Sequence, residues 1–256
     1  MAFGPDGGRL ELPWRSRRAG IGAQSAAGAG GAQSDYDWSV VPIQIKPDAA
    51  PTVNRRLHER LLTLLARASA MGVLAGAAVT QLDAQALQRV LSALHKQGLI
   101  GAAPVALAPL LKKGPVLLDA ATAERMADSL DQLVAVLEDS PAPGSEWATM
   151  RTVFGDDTLG TLLGVAPASL RRYAAAERAT PQAVAERLHW LAIVVSDLAG
   201  SYNEFGMRRW FERPRTQLGG KSPRGLLGAQ WNPDAKSARQ VRALAAALSG
   251  AQPLAA

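Results

Sequence analysis

The sequence predicts an all-α protein, on three observations. Apolar residues recur three and four positions apart over several long stretches, neither half carries a convincing β-hairpin signature, and 48% of the 256 residues are hydrophobic, ample for a buried core. The expected organisation is a disordered tail over 1–39, a helical N-terminal region over 40–143, a helix-turn-helix domain over 147–200, and a small helical domain with a C-terminal tail over 201–256.

Residues 1–39 are rich in Gly, Ala, Ser and Arg and hold no periodicity that buries a face. Their GAGGAQ run is no phosphate loop, since no strand precedes it and no Lys-Ser or Lys-Thr follows. SVVPIQI, Ser39 to Ile45, suits one short extended segment that Pro42 confines to an edge. From Val53 the pattern turns helical: Leu57, Leu61, Leu64, Leu65 and Ala68 share a face, with Arg55, Arg56, Glu59 and Arg60 mostly off it. Asp83 can cap a second helix striped by Leu87, Val90, Leu91 and Leu94, with Lys96 in its last turn and Gly98 to end it. Asp119 can cap a third, with Met126, Leu130, Leu133 and Leu137 spaced by 4, 3 and 4. Between these two helices, GLIGAAPVALAPLLKKGPVLLDA carries three prolines and is assigned to no element. EDSPAPGSEW, Glu138 to Trp147, reads as a linker and sets a domain boundary near residue 143. Thr180 and Pro181 then start a core helix whose Val184, Leu188, Leu191, Val195 and Leu198 form a stripe up to Gly200.

Charge is unevenly placed. Residues 1–146 carry equal numbers of basic and acidic side chains, whereas 147–256 carry 14 basic against 8 acidic, so the whole net charge of +6 sits in that C-terminal part. That is where a polyanion would bind. The absence of Cys removes thiol chemistry and Cys-ligated metal, and His58, His95 and His189 are scattered. With no nucleophile elbow or nucleotide loop either, no catalytic residue, metal or cofactor is expected, and the protein reads as a non-enzyme. No apolar run approaches the roughly 20 residues of a membrane span, and the first residues lack the apolar core of a signal peptide, so a cytoplasmic protein without membrane contact is expected.

The stretch DDTLGTLLGVAPASLRRY meets the demands of a helix-turn-helix one by one. Gly160 is the small residue at the helix crossing and Gly164 the left-handed turn, while Leu159, Leu163, Val165, Leu170 and Tyr173 sit where the locking contacts belong. Asp157 can cap the first helix and Pro167 suits the first turn of the second. Ser169, Arg171 and Arg172 are the candidate DNA contacts on the outward face, since arginine reads guanine or holds phosphate; the neighbouring Ala166, Ala168 and Ala175 offer only methyl groups. Such thin readout calls for a dimer or a partner.

Downstream, RRWFERPRTQLGGKSPRGLLGAQWNPDAKSARQVRALAAAL places the Trp210–Phe211 pair before Pro214, then a tight loop of Leu218, Gly219, Gly220, Ser222 and Pro223 before Leu226 and Leu227. A closing helix would carry Val241, Leu244, Ala245 and Leu248. The order of the two signatures, LGTLLGVAPASLRRY and then WF, P, LGGKSP and LL, resembles the Xre/MbcA/ParS antitoxin family over roughly residues 150–256. The resemblance implies an Xre-like helix-turn-helix followed by a toxin-binding domain. It further implies a type II toxin-antitoxin role, in which the chain blocks a RES-type NAD-degrading or ADP-ribosylating toxin and represses its own operon. The expected partners are thus a cognate toxin from an adjacent gene and operator DNA, in a homodimer or hetero-oligomer.

Carried onto this chain, the toxin-binding motif is Trp210, Phe211, Pro214, Leu218, Gly219, Gly220, Ser222 and Pro223, with the glycines and Pro223 shaping the backbone and the aromatics filling the core. Arg213, Arg215, Lys221, Arg224 and the tail LSGAQPLAA are the expected toxin contacts. Arg208, Arg209, Arg213 and Arg215 form a basic cluster that suits acidic toxin residues, phosphates, or the local Glu204 and Glu212 equally. The resemblance does not cover the residues before Trp147. The alternative is therefore a stand-alone helix-turn-helix regulator whose N-terminal helices oligomerise or sense a ligand.

Overall fold

The apolar stripes of the sequence become the buried faces of the helices. A computed structural model describes residues 43–45, 51–74, 84–111 and 116–249, all of them within one compact unit. The class is all-α. Among the described residues the β structure is limited to one parallel pair of three-residue strands, β1 (Ile43–Ile45) and β2 (Val116–Leu118), with Ile43 opposite Val116. The second strand comes from the proline-rich stretch that periodicity left unassigned. The expected tail over 1–39, Pro42, the Asp83 cap and residues 250–256 lie outside the described residues.

Helix α1 (Pro51–Ala70) buries Leu57, Leu61, Leu64, Leu65 and Ala68 and packs along α3 (Ala120–Asp139), which buries Met126, Leu130, Leu133 and Leu137 in return. The charged residues off that face stitch the seam: Arg56 bonds Glu124, Asp128 and Asp131, and Arg60 lies 2.7 Å from Asp131. Asp119 caps α3 as expected, accepting from the Thr122 N–H at 2.8 Å. Helix α2 (Ala84–Lys96) buries Leu87, Val90, Leu91 and Leu94 and ends at Gly98 in the left-handed conformation, φ +73°. A 3-10 turn over Val105–Leu111 inserts Leu107 and Leu110 into the same core.

Of the expected Glu138–Trp147 linker, only Ser140–Ala142 lies outside helices. Helix α4 (Pro143–Leu163) starts at once, and its Glu146 and Trp147 are buried. There follow α5 (Pro167–Ala174), α6 (Gln182–Leu198), α7 (Glu204–Glu212), α8 (Pro223–Leu227) and α9 (Lys236–Ser249). Helix α6 is the hub. Its expected stripe understates its burial, because α1, α4 and α9 pack around it and 14 of its 17 residues are buried.

Burying α6 on all sides also buries polar groups, and each must find a partner. Arg67 of α1 meets Asp197 of α6 at 2.7 Å and Glu138 of α3 at 2.8 Å, and donates to the Ile193 carbonyl at 2.9 Å. Arg242 of α9 joins Glu138 from the other side. Burial works against the Glu138 charge, but Arg67 and Arg242 outweigh it and hold the carboxyl below the usual glutamate range. His189 is held by hydrogen bonds at both ring nitrogens: Nδ1 lies 2.6 Å from Glu146 Oε1 and Nε2 lies 2.8 Å from the Glu138 carbonyl. These pairs tie α1, α3, α4, α6 and α9 into one body.

Candidate functional site

The outward surface of α5 is set by two glycines in α4. Gly155 adopts φ +72° and ψ 164°, which breaks α4 into two runs and turns the stretch after it onto a new axis. Asp157, expected to cap this second run, does not do so; the break itself starts it. Asp156 instead accepts from Arg151 at 2.7 and 3.1 Å, and that hydrogen bond holds its carboxyl below the usual range. At the far end Gly164 takes the left-handed conformation (φ +67°, ψ +37°), and the chain re-enters a helix with Pro167 in the first turn of α5.

The crossing is as tight as the sequence demands. A Cβ on Gly160 would stand 2.8 Å from the Val165 carbonyl oxygen and 3.8 Å from a Leu170 methyl. Leu159, Leu163, Leu170 and Tyr173 are buried, and Val165 packs against them partly exposed. Tyr173 in turn stacks on Trp147 with ring centroids 6.3 Å apart, so the first run of α4 buttresses α5. With that inner face fixed, the outer face of α5 is set: Ala166, Ala168, Arg171, Arg172 and Ala175 are exposed and Ser169 is half-buried. Among the described residues neither Arg171 nor Arg172 has an ion-pair partner within 4 Å, although the Arg171 charge does act on the Asp156 carboxylate, so two exposed guanidinium groups are carried by one short helix. Arg178 lies over the Tyr173 ring at 5.6 Å, adding a third cation at the end of this helix.

The C-terminal segment holds this unit from behind. Trp231 Nε1 donates to the Leu162 carbonyl at 2.7 Å, and Arg187 Nη1 donates to the Leu163 carbonyl at 2.7 Å and the Ala229 carbonyl at 3.3 Å. These two residues satisfy carbonyls that the end of α4 leaves without intrahelical donors. Neither was expected from the sequence. The one signal in the chain is Trp231 itself, a tryptophan in an otherwise polar stretch, QWNPD; its ring meets Trp190 edge-on at 4.7 Å.

The residues of the second signature fall into two groups. Trp210 and Phe211 are buried in α7 and Leu218 follows them, with Phe211 edge-on to Phe154 at 5.2 Å and to Trp210 at 5.1 Å. Gly219 and Gly220 adopt φ +65° and +77° in the turn that follows, and Ser222 caps α8, accepting from the Gly225 N–H at 3.1 Å. Pro223 is buried at the first turn of α8, whereas Pro214 is exposed. Half of the motif, Trp210, Phe211, Leu218 and Pro223, is therefore interior, while Pro214, Gly219 and Gly220 are exposed.

The basic residues around it divide likewise. Arg208 donates to the Val153 carbonyl at 2.8 Å, Arg209 lies over Phe205 at 5.5 Å, and Arg215 lies over Trp210 at 5.3 Å. Arg224 pairs with Glu212 at 2.6 Å. Arg213 and Lys221 remain as exposed cations without an ion-pair partner among the described residues, and the Phe205 ring is exposed as well. In the closing helix Val241 and Ala245 are buried and Leu244 partly so, but Leu248 turns outward, 38% exposed.

Among the described residues no group of three His, Asp or Glu is placed to hold a metal ion, and no helix is long and apolar enough to cross a membrane. No protein-family model matches the chain, and no curated protein or solved structure is significantly similar to it.

Proposed function

We propose that the protein is a cytoplasmic antitoxin that binds operator DNA through a helix-turn-helix formed by the second run of α4 and by α5, and holds a toxin through its C-terminal helices. The observation that carries the DNA half is the pair of exposed guanidinium groups outside any salt bridge, Arg171 and Arg172, on a short helix whose inner face is locked at Gly160. The toxin half rests on the order of the two sequence signatures, and the exposed Arg213 and Lys221 are the cations that remain open to an acidic partner. The proposed toxin is of the RES type or ADP-ribosylating, and the role assigns no chemistry to this chain.

Two measurements test the reading. Co-expression with the adjacent open reading frame should restore growth and intracellular NAD that the neighbour alone depletes; a harmless neighbour that forms no complex removes the toxin half. Gel-shift titration against the DNA upstream of the gene should give a salt-dependent complex, and its absence removes the DNA half. One structural feature favours a second reading. The N-terminal helices share a core and a buried ion-pair network with α6, which suits a regulator whose N-terminal region communicates with the DNA-binding helices.

A further inference from the structure

A cleft lies between the N-terminal helices and α4, away from the α5 surface and the C-terminal helices. It arises where α1 is pinned to α4: a Cβ on Gly72, just past α1, would stand 2.3 Å from the Ser145 carbonyl oxygen, so the two backbones touch. Helix α2 lies alongside without filling the remaining space, and a cleft of about 990 Å³ is left between α2 and α4. That volume lies at the upper end of the range for small-molecule sites, roughly 300–1,000 Å³.

Its walls are one basic and one small, uncharged helical stripe. Helix α2 contributes Arg89, Ala93 and Lys96, spaced by 4 and 3, while α4 contributes Ser145, Ala148 and Thr149, small enough to leave the space open. Arg89 and Lys96 are exposed, and among the described residues neither has an ion-pair or hydrogen-bond partner. Gly144 lies in the first turn of α4, where Ser145 and Glu146 donate to the Ala142 carbonyl and the Gly144 N–H has no acceptor among the described residues. The floor near the end of α1 is apolar, from Val73 and Leu74, and one carboxylate, Glu204, stands at the α7 end.

We infer that this cleft binds a nucleoside diphosphate. The donors determine the class: two cations two helical turns apart, roughly 10 Å along the axis at 1.5 Å per residue, converge through flexible side chains on a diphosphate. The N-terminal turn of α4 adds an N–H of the same polarity. Ala93 and Ala148, with the edges of Val73 and Leu74 that reach the cleft, provide the apolar surface for the base, and Glu204 accepts from a sugar hydroxyl. This inference is independent of the toxin and of the operator.

The test is isothermal titration of the full chain with ADP, GDP, CDP, UDP and inorganic pyrophosphate. At least one nucleoside diphosphate should bind once per chain and more tightly than pyrophosphate. Arg89→Ala with Lys96→Ala should weaken it at least tenfold, and Ala148→Phe, which fills the cleft without changing charge, should abolish it. Arg171→Ala with Arg172→Ala should bind as wild type. All three variants alter exposed residues, and their melting curves report whether the fold is retained. No binding by the wild type, binding that survives both cleft variants, or pyrophosphate binding with every nucleotide rejected would each overturn the inference.

Discussion

Arg67 of α1 and Asp197 of α6 meet at 2.7 Å in the core, each with less than a tenth of its side chain exposed. The pair joins the N-terminal helices to the central helix, and Glu138, the Ile193 carbonyl and the Ser196 hydroxyl also take hydrogen bonds from the guanidinium. Removing one member of such a pair leaves the other charge buried without compensation, which typically costs about 3–5 kcal/mol. Arg67→Ala should lower the unfolding free energy by that amount, read as a fall in the urea midpoint, whereas Arg67→Met with Asp197→Leu should lose far less. An unshifted midpoint for the single variant would show that the pair is structurally idle.

The His189–Glu146 pair makes stability depend on pH. Burial disfavours the His189 charge, but the Glu146 hydrogen bond and charge outweigh it, so the imidazole pKa is raised above its ordinary value near 6.5. A raised folded-state pKa stabilises fully below the unfolded value, and that stability is lost as pH rises through the folded one. Wild type should therefore lose stability relative to Glu146→Gln as pH climbs from about 6 upward. Parallel stability profiles for the two proteins across that range would refute the assignment.

The two glycines that frame the second run of α4 should differ in cost. Gly155 needs an unusual backbone conformation but has nothing within 4 Å of a Cβ, so Gly155→Ala should cost about 1–3 kcal/mol from the backbone alone. Gly164 is left-handed too, and a Cβ there would fall 2.2 Å from the Ala229 carbonyl oxygen. Gly164→Ala should be the more damaging in thermal melts, because the segment that Arg187 and Trp231 hold against the helix end must also move.

On the outer face of α5 the cost should be functional. Arg171→Ala and Arg172→Ala alter exposed side chains and should change stability by no more than about 0.5 kcal/mol. If each holds a phosphate, the slope of log affinity against log salt should fall by about 0.9 per variant; if it reads guanine, discrimination at one base pair should fall by roughly 1–3 kcal/mol. DNA affinity unchanged in both variants would place the contact elsewhere.

The helices themselves are legible in the order of the amino acids. Leu57, Leu61 and Leu64, or Met126, Leu130 and Leu133, declare a buried face because burial on a helix repeats every three or four residues, and that period is written directly into the chain. The same holds for local backbone devices: Asp119 as a cap, and Gly98 and Gly164 as left-handed ends, are where short-range stereochemistry requires them. The candidate DNA face is legible for this reason, since its inner and outer residues follow from one helix's period.

Other features depend on which helices meet. Glu146 and Trp147 sit in a stretch whose Ser, Pro and Gly content reads as linker, yet α6 and α5 bury them, since His189 needs a carboxylate and Tyr173 a ring to stack on. The fates of the arginines near Trp210 also differ by neighbour, one reaching the Val153 carbonyl and others lying over aromatic rings. Arg67 and Asp197 are 130 residues apart, and nothing in the local period of either helix marks them as partners. Thus the sequence by itself determined the apolar faces of the helices and such local devices as the Asp119 cap and the glycine ends, because those obey rules that act within a few residues. Only the tertiary structure decided which charges are buried and paired, because desolvation and ion pairing depend on distance in space, which the chain's local pattern does not record.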